Sequence, residues 1–179
     1  MKLTRWVVAL AAIAATALAA RAFQGTAPRS VADKYAAHGE KNGIAIGAVL
    51  LTSGELHKVF KTDVDHCCRV VEVAVYPKDE NPADVDLGDF TLQVVGQEMG
   101  ARPSTPKVVA WRSSRESDRL RPTLIRAMEE ELVERALPLG STATPVSGYL
   151  YFELPTKVKK AKYQLEYMAK GGKLVLPLN

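Results

Sequence analysis

His66-Cys67-Cys68 is the cluster in this sequence that could bind a metal ion or carry redox chemistry. In an extended strand His66 and Cys68 project to one face and Cys67 to the other, so the three do not converge on one ion unaided. A zinc or copper site needs more ligands, and the nearest candidate, His57, falls on an expected helix. His57, His66 and Cys68 are thus metal candidates only if the fold gathers them. The simpler expectation is no metal and no cofactor, with both cysteines as small core fillers. Neighbouring cysteines join only through a strained ring, which leaves a vicinal bridge or a disulfide to another chain as the oxidised alternatives. The Cys-x-x-Cys-His of attached haem is absent.

Other catalytic patterns are poorly supplied. The serines cluster in expected loops, and no Gly-x-Ser-x-Gly elbow places one at a strand-to-helix turn. Histidines are confined to His38, His57 and His66. Glu129, Glu130 and Glu131 read as the solvated face of a helix rather than a glycosidase pair. The expectation is a protein without enzymatic activity.

Two surfaces could bind. Arg102, Lys107, Arg112, Arg115, Arg119 and Arg121 concentrate in a stretch that reads as a loop, with Trp111 inside it and Glu116 and Asp118 diluting it. Such a loop suits an acidic partner, a phosphate-rich surface or anionic lipid headgroups; it also reads as a solvated loop guarding a sheet edge. Tyr149 and Tyr151, two apart on the expected wet side of a strand, form a flat amphipathic patch suited to protein contact unless a helix covers them. Trp111, Arg112, Arg115, Tyr149 and Tyr151 are therefore the candidate partner-binding residues.

The elements that must position these residues are mostly strands. In Cys67–Pro77, Val71, Val73 and Val75 share one face and Val70, Ala74 and Tyr76 the other, which predicts a central strand buried on both sides, with Arg69 and Glu72 interrupting opposite faces. Ile44, Ile46 and Ala48 predict a first strand. Thr52 and Glu55 have capping-box spacing for a short helix over 53–60, with Leu56, Val59 and Phe60 inward to plug one end of a sheet stack. Phe90, Leu92 and Val94 predict a half-buried strand. Pro122 opens a longer helix over 122–137 with Leu124, Ile125, Met128, Leu132, Val133 and Ala136 on its apolar stripe. Leu150, Phe152 and Leu154 point inward from the most regular strand. Tyr163, Leu165 and Tyr167 form the next, and Lys-Gly-Gly-Lys at 170–173 turns it into a last strand through Leu174 and Leu176.

Apolar residues at 47% and charged residues at 25% of 179 suit one globular domain with appendages. Lys2 and Arg5 precede an uncharged run from Trp6 to Ala20 that ends in small residues, which reads as a secretory signal over 1–20. The alternative is an uncleaved anchor, although the run is Ala-rich and shorter than the ~20 apolar residues a spanning helix wants. The net charge of +4 falls to about +2 without that segment, 22 basic against 20 acidic, too little to indicate a nucleic-acid protein. Residues 21–43 read as a flexible tether and 44–179 as the domain.

Several short strands with turns at regular intervals and one longer helix point to a mainly β fold, an immunoglobulin-like β-sandwich. The segments Val70-Val71-Glu72-Val73-Ala74-Val75-Tyr76-Pro77, Asp89-Phe90-Thr91-Leu92 and Gly148-Tyr149-Leu150-Tyr151-Phe152 resemble a group of uncharacterised secreted bacterial proteins and, more distantly, telokin-like extracellular immunoglobulin-fold domains. The resemblance spans roughly 44–179 and implies a fold and an exported location, periplasmic or extracellular; it carries no catalytic residue. In that group the loop before the helix is often long and rich in Gly and Pro, whereas here it is short and basic. The expected function is a non-enzymatic binding or assembly module with a protein partner and no nucleic acid. The alternative is an accessory subunit of a membrane complex, membrane-associated only if the N-terminal segment is retained.

Overall fold

The structure, a computed structural model, describes residues 25–78, 82–98, 100–115, 122–154, 161–169 and 171–178, without the side chains of Arg115 and Ala169. The expected signal segment lies outside these residues. The protein is mainly β, with several antiparallel sheets.

One sheet has five strands in the order β1 (Ala37–Lys41), β2 (Ile44–Leu50), β3 (Cys68–Pro77), β9 (Val146–Glu153) and β7 (Pro103–Ser104). A second has four: β11 (Gly172–Leu178), β10 (Tyr163–Ala169), β5 (Phe90–Val94) and β6 (Gly100–Ala101). Two short strands, β4 (Ala83–Val85) and β8 (Gly140–Thr142), pair separately. Every pairing between named strands is antiparallel.

β3 is the central strand, as its valines predict, with β2 and β9 on either side. Its Val71, Val73 and Val75, with Ile46 of β2 and Leu150 and Phe152 of β9, share one core with Phe90, Leu92, Leu165, Tyr167, Leu176 and Leu178 of the second sheet. Burying each such side chain stabilises the fold by roughly 1.5–3 kcal/mol.

The other face of the five-stranded sheet is covered too, by two separate groups. Over β2 and β3, Tyr35 and Ala32 pack on Ala45, Ala74 and Tyr76. A Cβ on Gly47 would come within 2.3 Å of the Tyr35 ring, so only glycine lets that ring lie flat on β2. Over β3 and β9, three helices close a second core: α1 (Ser53–Val59), α2 (Pro106–Arg115) and α3 (Pro122–Arg135). α1 carries the expected capping box, with the Thr52 amide donating to Glu55 Oε2 at 2.8 Å and the Glu55 amide to Thr52 Oγ1 at 3.4 Å. Leu56 and Phe60 are buried in this outer core, so α1 lies over the sheet face rather than plugging one end of the stack.

Three further expectations are corrected. Residues 37–41, placed in a tether, form β1, and the Asn42-Gly43 pair turns it onto β2 with φ of 51° and 72°. Asn-Gly is a strong two-residue hairpin signal. Residues 106–115 of the stretch read as a basic loop form the helix α2, begun by Pro106, with the Val109 amide bonded to the Thr105 carbonyl at 3.1 Å. Finally, Leu124 and Val133, assigned to the buried stripe of α3, are exposed; Leu132 is the side chain α3 buries fully, with Ile125, Met128 and Ala136 partly covered.

Candidate functional site

The five candidate contact residues divide at the outer core. Tyr149 and Tyr151 point away from Leu150 and Phe152, as strand alternation requires, but that side of β9 is not wet. Tyr149 is 7% exposed and Tyr151 1%, beneath the helices, with Phe60 ring centroids 5.1 and 6.1 Å away in edge-on arrangements. The Tyr151 hydroxyl donates to the Leu132 carbonyl at 3.0 Å, and burial pushes both phenols above their ordinary pKa. These two tyrosines bind α3 to the sheet and are not a contact surface.

Trp111 and Arg112 stand on the opposite side of this layer. α2 buries Val109 and Ala110 and exposes Lys107, Val108, Trp111 and Arg112, positions that share one helical stripe, with Trp111 44% exposed. Arg112 Nε lies 2.6 Å from Glu153 Oε2, and Glu153 Oε1 also accepts from Ser104 Oγ at 2.7 Å. The guanidinium is therefore tied to the end of β9 while remaining half exposed. Arg115 ends α2, with its side chain outside the described residues; Arg119 and Arg121 lie outside them entirely, and Arg102 is exposed on the approach to β7.

Helical position alone groups Glu131 with Glu129 and Glu130 as solvated surface. Instead it accepts from the Lys61 amide at 2.7 Å, the Thr62 amide at 3.0 Å and Thr62 Oγ1 at 2.8 Å, closing the turn between α1 and β3. Partial burial works against its ionisation, but these donors outweigh it, helped by Arg135, and the carboxyl is held below its ordinary pKa. Beside this clamp an open groove of about 610 Å³ runs between α3 and the Lys61–Asp63 turn, with Ser113 of α2 on its wall.

The three metal candidates are not gathered. His57 is exposed on α1, and His66 is exposed in a turn with Nε2 2.9 Å from Asp63 Oδ2. Cys68 is buried at the start of β3. Among the described residues no three His, Cys, Asp or Glu side chains form a metal-holding group.

The cysteines depart from the strand alternation expected of them. Residues 65–67 form a turn, closed by the Cys68 amide on the Val64 carbonyl at 3.1 Å, and β3 begins only at Cys68. Both sulfurs consequently face the same side, 2.6 Å apart and unbridged, with Cys67 Sγ also 3.3 Å from Ser113 Oγ on α2. Cys67 is partly exposed and Cys68 buried. The neighbouring Cys68 thiol, aided by Ser113, holds the Cys67 pKa down to about 7 against the cost of burial. The same contact, with burial, pushes Cys68 up.

No family model, curated protein or solved structure matches this chain.

Proposed function

We propose that this chain is a non-enzymatic, exported binding module that grips an acidic protein segment with the outer stripe of α2. The observation that carries this reading is Trp111, a large aromatic side chain 44% exposed beside Val108 and flanked by Lys107 and Arg112. An indole set among cations suits a partner that offers an apolar anchor point between carboxylates. The Arg112–Glu153 pair holds one cation in place before any partner arrives, which lowers the ordering cost of association.

The export reading is supported by Lys2, Arg5 and the uncharged run that follows. No helix among the described residues is long and apolar enough to cross a membrane. The sharing of one core by the two larger sheets supports reading the mainly β architecture as a β-sandwich of the immunoglobulin-like kind suggested by its strand segments.

Site-specific photocrosslinking in the native cell tests the surface. A benzophenone side chain at position 111 is expected to join to a protein through a segment rich in Asp and Glu. One at exposed Val175, on the second sheet, should not. The pair Lys107→Glu and Arg112→Glu should cut the adduct at position 111 by about tenfold or more. Equal adducts at 175 and 111, or adducts at 111 with lipid alone, would overturn the proposal.

A further inference from the structure

A second observation, independent of the α2 stripe, is the placement of the two sulfurs. Adjacent residues in a strand point apart, yet the turn at 65–67 brings Cys67 and Cys68 side by side. They are also unequal, one reachable from solvent and the other enclosed among Val70, Val109 and Tyr151. Thiol exchange needs a nucleophile at the surface and a second thiol within bonding reach behind it.

We propose that Cys67 and Cys68 form a redox site that closes to a vicinal disulfide on reaction with a small disulfide oxidant such as oxidised glutathione. The Cys67 thiolate attacks one sulfur of the oxidant, the oxidant's S–S bond breaks, and one glutathione thiolate leaves. Cys68 then gives up its proton to the departing thiolate and attacks the Cys67 sulfur. The mixed disulfide breaks and the second glutathione leaves. The protein loses two protons and two electrons, and one oxidised glutathione becomes two reduced molecules.

The local electrostatics favour this order. Cys67, with a pKa near 7, is substantially ionised at neutral pH, whereas Cys68 is held protonated by its contact with Cys67 and by burial. Once Cys67 is in a mixed disulfide its charge is gone, and the main influence keeping the proton on Cys68 goes with it. The other titratable and charged groups around the pair are Glu153, which opposes ionisation of both, Arg112, which favours ionisation of Cys68, and the buried Tyr151 phenol, whose own ionisation Cys68 opposes. Ser113 Oγ from α2 supplies a hydrogen bond to Cys67.

The test is to treat the reduced full chain with oxidised glutathione, quench it in acid and read intact and peptide masses. Wild type is expected to lose two hydrogens within the peptide holding both cysteines. Cys68→Ser should stop at a single glutathione adduct on Cys67, and Cys67→Ser should react at least ~10-fold more slowly than wild type. In Cys68→Ala, which removes the donor beside Cys67, the first step should be followed at several pH values, with the Cys67 pKa expected to rise. A persistent glutathione adduct in wild type, a disulfide-linked dimer, or first attack by Cys68 would overturn the proposal. The wild-type masses decide the matter even if a serine variant fails to fold.

Discussion

Gly148→Ala is expected to destabilise the protein by about 3 kcal/mol or more, although it adds a single carbon. The reason is what lies against β9. The chain leaving α3 runs against β9 so closely at Gly148 that a Cβ there would stand 2.5 Å from both the nitrogen and the Cα of Leu137 and 2.6 Å from the Ala136 carbonyl carbon. All three are backbone atoms, and no rotamer change can move them aside. Relief requires opening the parallel bridge between Ala136 and Tyr149 and its Leu137 amide to Tyr149 carbonyl bond, 3.2 Å long. Gly54→Ala on α1 is the control: nothing lies within 4 Å of the new Cβ, and alanine favours a helix over glycine. Urea denaturation of the two variants should give midpoints displaced in opposite directions. A Gly148→Ala midpoint equal to wild type would mean that the chain leaving α3 does not run against β9 in this way.

Tyr151→Ala is expected to cost about 3–5 kcal/mol, the range for emptying a buried aromatic site. Tyr151→Phe should cost only about 1 kcal/mol, because it keeps the ring against Phe60 and gives up the hydrogen bond to the Leu132 carbonyl. The difference separates the ring's role as filler between sheet and helices from the hydroxyl's role in fixing α3. Chemical denaturation measures both, and near-UV circular dichroism of the phenylalanine variant should stay close to wild type. If alanine costs no more than phenylalanine, the outer core is not packed around this ring.

What could be read from the residues, and what could not, follows from the range of the interactions. The valines of β3 and the Leu150, Phe152 and Leu165 alternation are written in neighbouring residues, and the strands formed where that spacing placed them. The capping box at Thr52 and Glu55 and the proline that opens α3 are equally local. β1 was missed because Ala-His-Gly-Glu-Lys has almost no apolar alternation; it is held by pairing with β2, and Gly39 gives room to Leu174 and Leu176. The Asn42-Gly43 turn was the available signal. α2 was missed because its covered stripe continues from Val109 and Ala110 to Ser113 and Ser114, polar residues that break the apolar pattern, leaving Thr105-Pro106 as the local sign of a start.

The site was less legible still. Strand alternation correctly separates Tyr149 and Tyr151 from Leu150 and Phe152, but it says nothing about what is laid on the second face. That depends on α1, α2 and α3 arriving from elsewhere in the chain. Glu131 belongs to the same class: its acceptors' partners, Lys61 and Thr62, are some 70 residues away, beyond the reach of any helical pattern. The sulfurs of Cys67 and Cys68 converge because a turn ends one residue before the strand begins, a boundary that the thiols themselves do not mark.

In the outer layer, helices seal the tyrosines of β9 and present Trp111 in their place. Hydroxyl-radical footprinting of the native protein, resolved residue by residue, tests this directly. Oxidation is predicted to be rapid at Trp111 and close to background at Tyr149 and Tyr151, with all three reacting after unfolding in urea. Tyrosines that label as fast as Trp111 in the native protein would contradict it.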